Sequence, residues 1–113
     1  VDERAVREIG LAVRDAGERT GTRPLALRAL SDHVHVLVSF RPDTCLSDFV
    51  RIAKSVSAFR ANARVSGAVK WARGFYAATV HRNDLYRVSR YIRNQYQRHP
   101  DKIPVRSRES LQC

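Results

Sequence analysis

Methionine is absent from the 113 residues, cysteine occurs twice, tryptophan once, and only three of the 21 basic side chains are lysines. Cys45 and Cys113 lie far apart with no CxxC spacing, which argues against a disulfide framework and a zinc cluster. Reduced thiols in a cytoplasm are the expectation. No stretch approaches the roughly 18 uninterrupted apolar residues of a membrane span, and no basic-then-apolar leader opens the sequence. A soluble, cytoplasmic protein with no membrane partner follows. The length leaves no room for a second core, so residues 1–99 are read as one domain and 100–113 as a basic tail, loose or docked on a partner. There is no internal repeat and no glycine-rich phosphate loop.

Acidic side chains are also scarce, 11 against 21 basic ones, giving a net charge of +10. The imbalance is uneven. Val1 to Val56 carries nine basic and eight acidic residues, Ser57 to Cys113 twelve and three. A basic half of this kind faces a polyanion. Its cations are almost all arginines, whose planar forks suit phosphates and base stacking.

Helical spacing of Val6, Ile9, Ala12 and Val13 predicts a first helix over Glu3 to Glu18, ending near Gly17. Pro24 opens a short strand through Leu30, and Ser31-Asp32 turns the chain into His33-Val34-His35-Val36-Leu37-Val38-Ser39-Phe40, β-branched and alternating. Asp43 or Thr44 is the expected cap of a second helix from about Cys45 to Asn62, with Leu46, Phe49, Val50, Ile52, Ala53, Val56 and Phe59 on its apolar face. Phe75 to His81 reads as a third strand. A last helix, capped by Asn83 or Asp84, runs to about His99 before Pro100. The order helix, strand, strand, helix, strand, helix predicts an α+β fold, a ferredoxin-like sandwich with a small, mainly antiparallel sheet and helices packed on it.

His33 and His35 stand at i and i+2 on a strand, so both rings leave the same face about 6.5 to 7 Å apart along the chain. Two imidazoles so placed are able to converge on one cation; the plainer reading is an exposed hairpin face that carries histidines. Tyr91 and Gln95 stand at i and i+4 on the last helix, one above the other, beside a buried stripe of Leu85, Val88 and Ile92. A tyrosine and an amide at the edge of a core are the plainer reading there. Yet the same helix carries Arg82, Arg87, Arg90, Arg93 and Arg98, so a phosphate near the Tyr91 hydroxyl meets several cations.

Ser31-Asp32-His33-Val34-His35-Val36-Leu37-Val38, then Leu46-Ser47-Asp48-Phe49-Val50, Lys54-Ser55, Trp71, Gly74-Phe75 and Tyr91-Ile92-Arg93-Asn94-Gln95 together resemble the single-tyrosine HUH transposases of small bacterial insertion sequences, including those associated with repetitive extragenic palindromes. The match runs from about Leu25 to His99. The resemblance implies metal ligands at His33, His35 and Gln95, a nucleophile at Tyr91, and Mg²⁺ or Mn²⁺ as the metal. Neutral ligands leave such an ion its full charge to polarise a phosphate. That polarisation matters because a phenol, with an ordinary pKa of about 10, is a weak nucleophile at neutral pH.

The same resemblance implies single-stranded DNA with a folded hairpin as substrate, a 5′-phosphotyrosyl intermediate, and a homodimer whose active site is assembled in cis or in trans. Arg51, Lys54, Lys70, Trp71, Arg73, Arg87 and Arg90 are the expected DNA contacts; Trp71 reads equally as a core plug under its loop. Family members begin with a strand before the first helix, whereas this sequence opens in that helix, which implies an unfilled edge or gap in the sheet. The alternative is a catalytically inactive, single-stranded nucleic-acid-binding remnant. A two-histidine cyclic phosphoesterase requires a second HxH or HxT motif, which neither His81 nor His99 supplies.

Overall fold

Ala5, Ile9, Ala12, Val13 and Ala16 recur at three- and four-residue spacing, and in the computed structural model, which describes residues 2–65 and 67–104, they form the buried stripe of helix α1, Glu3–Thr20. Asp2 caps it, its carboxylate accepting from the Ala5 amide at 2.9 Å. The helix passes Gly17, where it was expected to stop, and ends on Gly21, whose φ of 70° is left-handed. Gly17 has a different task. A Cβ there would meet the Thr22 carbonyl oxygen at 2.5 Å, so glycine lets the returning chain press against the helix. Gly17→Ala is therefore expected to cost about 1–3 kcal/mol through overpacking. Gly10→Ala, with nothing within 4 Å of its Cβ, should add roughly 0.5–1 kcal/mol of stability. Urea unfolding of the two variants measures both.

Strands β1, Arg23–Ala29, and β2, Val34–Ser39, pair antiparallel, with Arg28 opposite His35 and a register shift between Pro24 and Ala26. The hairpin closes through the Leu30 amide on the His33 carbonyl at 2.8 Å. Val34, Val36 and Val38 pack toward α1 and toward Phe49 and Ala61 of helix α2, Leu46–Arg64. Strand alternation turns His35 and the buried Leu37 to the other face.

α2 starts on Cys45 without a side-chain cap, not on Asp43 or Thr44; Cys45 Sγ lies 3.1 Å from Ser47 Oγ. Phe59 is 78% exposed, off the apolar face where it was expected. Its position explains this, since it continues the exposed row Arg51, Ser55 at four-residue steps. Glu8, buried in α1, is met from α2 by Arg60 at 2.6 Å and Arg64 at 3.4 Å. Beyond α2, Asn62 exchanges two 3.0 Å hydrogen bonds with the Val69 backbone, and Trp71 Nε1 donates to Ser57 Oγ at 2.9 Å, folding the loop back onto the helix.

Phe75 to His81 does not form the expected third strand: among the described residues the sheet has two strands. Residues 72–79 are exposed, and without a neighbouring strand an extended run has no ladder partner for its amides and carbonyls. The segment is held instead by Lys54, whose ammonium donates to the carbonyls of Ala72 and Gly74. A 3₁₀ turn, Arg82–Asp84, capped by the His81 ring accepting from the Asn83 amide, leads into helix α3, Leu85–Arg93. The last helix is thus broken at Asn94 and resumes as α4, Gln95–Arg98, followed by a 3₁₀ turn over Pro100–Lys102. The basic tail beyond Pro104 lies outside the described residues. No helix among the described residues is long and apolar enough to cross a membrane.

Candidate active site

α3 packs against both strands on the histidine face. Arg28 of β1 donates to the Arg93 carbonyl at the end of α3 (3.0 Å) and lies 4.6 Å over the Tyr96 ring, and the Tyr96 hydroxyl donates to the Ala29 carbonyl at 2.8 Å. These contacts clasp the last helices to the hairpin and bring Tyr91 beside the histidines of its own chain. The rings of His35 and Tyr91 stand 6.3 Å apart, edge to face. His33 Nε2 and His35 Nε2 are 3.0 Å apart. Tyr91 remains 42% exposed, with the Arg98 guanidinium 4.8 Å over its ring.

Gln95 is fully buried. Its Nε2 donates to the Tyr91 carbonyl at 3.0 Å, the acceptor that an unbroken helix would give to the Gln95 backbone amide, while its Oε1 is buried without a hydrogen-bond partner. A buried oxygen left unsatisfied costs about 1–3 kcal/mol, a cost that a ligand would relieve. Burial, and secondarily the charges of His33 and His99, push the His35 imidazole below its ordinary pKa, which favours the neutral form that ligates metals. Among the described residues no group of three or more His, Cys, Asp or Glu side chains is placed to hold a metal ion. One amide oxygen and two imidazoles, carried on adjoining elements, would be a donor set of another composition, suited to a hard divalent cation more than to zinc.

The four residues expected to carry the chemistry thus lie on adjoining elements. The expected DNA contacts are distributed differently. Arg51 is exposed and 3.7 Å from Asp48; Lys70, Arg73 and Arg90 are exposed; Arg87 is exposed and 3.0 Å from Asp84. Lys54 is committed to backbone carbonyls, and Trp71 is half-buried against Ser57. Arg98 lies over the Tyr91 ring as the run of helix arginines suggests, whereas Asp32 and His99 are members of this corner that the sequence alone does not single out. The carboxylate immediately before the HxH triplet was the available signal.

Residues 2–95 match the family model described as Transposase IS200 like, a span that includes His33, His35, Tyr91 and Gln95. The chain belongs to the IS200-like transposase family. It is similar to the ISDra2 transposase TnpA of Deinococcus radiodurans, 28% identical over 91 residues that cover 74% of this chain and 65% of that protein. The chain therefore spans just under two thirds of the length of that curated relative. No solved structure matches it. The resemblance carried by the order of motifs holds at the level of the family. Divalent-metal dependence is what that family implies.

Proposed function

We propose that this chain cuts and rejoins single-stranded DNA through a covalent tyrosyl intermediate, in the cytoplasm. The observation that carries the reading is the placement, on adjoining elements, of a half-exposed tyrosine beside His35, the His33–His35 ring pair, and a buried, unpartnered amide oxygen one helical turn after the tyrosine. The Tyr91 oxygen attacks a backbone phosphorus and gives up its proton; the new O–P bond forms as the P–O3′ bond breaks, leaving a 5′-phosphotyrosine and a 3′-hydroxyl that takes up a proton. The exchange conserves the phosphodiester's energy, so rejoining needs no nucleoside triphosphate. Mg²⁺ or Mn²⁺ held by His33, His35 and Gln95 would polarise the scissile phosphate. The exposed arginines supply backbone contacts, Arg90 on the tyrosine helix among them. A ferredoxin-like sandwich, with a further strand completing the two-stranded sheet, is the parent architecture this reading implies. Labelled single-stranded DNA bearing candidate element ends, incubated with Mn²⁺, should give an SDS-stable product. Binding without any such product would favour the inactive remnant.

A homodimer is part of the proposal, because an unpaired strand edge invites a second chain. With Tyr91 clasped to its own hairpin, a mixture of His35→Ala and Tyr91→Phe protomers that exchange should stay inactive. Recovered cleavage would mean that the tyrosine helices swap between chains.

A further inference from the structure

Asp32 stands in the hairpin turn immediately before the histidine pair, and both of its carboxylate oxygens are used. Oδ1 lies 2.6 Å from His33 Nδ1, and Oδ2 lies 3.0 Å from the Lys102 ammonium. Lys102 is itself fixed at that turn, because its carbonyl accepts from the Ser31 amide at 2.8 Å. An ionised carboxylate is an acceptor only, so the 2.6 Å contact has the His33 ring donating to Asp32.

We propose that Asp32 is a positioning residue that holds His33 in the Nδ1–H tautomer, presenting His33 Nε2 as a bare donor to a divalent cation, and that Lys102 weakens that hold from the segment after the tyrosine helix. The inference rests on the reading of His33 and His35 as ligands.

Proton counting carries the argument. A neutral imidazole has one N–H. When that proton sits on His33 Nδ1, facing Asp32, His33 Nε2 has only its lone pair. The 3.0 Å contact between the two Nε2 atoms then requires His35 to be the donor. The pair is therefore asymmetric: His33 is already set as a ligand, whereas His35 must move its proton to Nδ1 before it offers a second lone pair. A carboxylate behind a ligating imidazole both fixes the ring and raises its basicity, and losing such a partner typically weakens metal binding by about 10–100-fold. A purely structural role explains less. The turn is already closed by the Leu30 to His33 backbone bond, and an ion pair between side chains 42% and 54% exposed adds little to folding.

Two measurements test this on the whole chain. The first is ¹⁵N-resolved NMR of the histidine rings without metal, at a pH where they are neutral; the second is Mn²⁺ affinity by electron paramagnetic resonance. In the wild type His33 should show the Nδ1–H pattern. In Asp32→Ala it should pass mainly to Nε2–H, and the Mn²⁺ Kd should rise by about 10–100-fold. Asp32→Asn, whose amide oxygen still accepts from Nδ1–H, should keep the tautomer and recover most of the affinity. Lys102→Met should tighten Mn²⁺ binding several-fold, by leaving the full carboxylate charge on His33.

An unchanged tautomer in a folded Asp32→Ala protein overturns the proposal, as does equal damage in the Ala and Asn variants. Wild-type or weaker Mn²⁺ binding by Lys102→Met overturns the part assigned to Lys102. If the tautomer switches as expected but His35→Ala binds Mn²⁺ like the wild type, the ligand reading beneath the proposal is what fails.

Discussion

Tyr91→Phe is expected to abolish the covalent DNA adduct, lowering its rate by roughly 10³-fold or more, as deletion of a nucleophile does. The substitution removes one oxygen and leaves the ring, so the edge contact with His35 and the Arg98 guanidinium over its face survive. No other tyrosine is arranged to substitute. Tyr76 and Tyr86 are 92% and 79% exposed, and the Tyr96 hydroxyl is occupied by the Ala29 carbonyl. Denaturing gels after incubation with labelled single-stranded DNA and Mn²⁺ read the result. An adduct that persists in Tyr91→Phe would move the nucleophile elsewhere and end the assignment.

His35→Ala should remove cleavage almost as completely while leaving DNA affinity within about three-fold. The separation follows from charge. Burial keeps the imidazole toward its neutral form, so the ring contributes little to the attraction of a polyanion, which comes from the arginines of the second half. The lost contacts to His33 and Tyr91 should cost stability only on the order of 1 kcal/mol, since the side chain is half-buried. Filter binding and adduct yield on the same preparation distinguish the cases. Equal loss of binding and cleavage would make His35 a structural residue.

The hairpin and the first two helices were legible because their signals are local: alternating valines, three-and-four spacing, a turn at Ser31-Asp32. His35 was legible for the same reason, being a residue of β2, whereas His33 precedes the strand and is placed by the turn and its contact with Asp32. What failed depended on partners that no local pattern displays. Phe75 to His81 has the composition of a strand but no neighbour to pair with among the described residues. Gly17 has the composition of a stop, yet its role is contact with the returning chain. The break at Asn94 was hidden because the Gln95 side chain takes over the Tyr91 carbonyl, preserving the i,i+4 relation across two helical pieces. Trp71 and Lys54 were read as a plug or a DNA contact and as a DNA contact; which groups they touch is a matter of where the loop folds, and it folds back onto α2.

The buried Glu8 also changes how the basic half should be counted. Binding a nucleic-acid strand displaces condensed counterions, and the steepness of its salt dependence reports how many phosphates are neutralised, about 0.7 per contact for a single strand. Arg60 and Arg64 belong to that half by sequence, but their guanidinium groups are turned to a carboxylate in the neighbouring helix. They help to weld α1 to α2 and are spoken for before any DNA arrives. If the chain binds a strand as proposed, the salt dependence should therefore report fewer phosphate contacts than the excess of cations in the sequence suggests, because these two guanidinium groups already face Glu8.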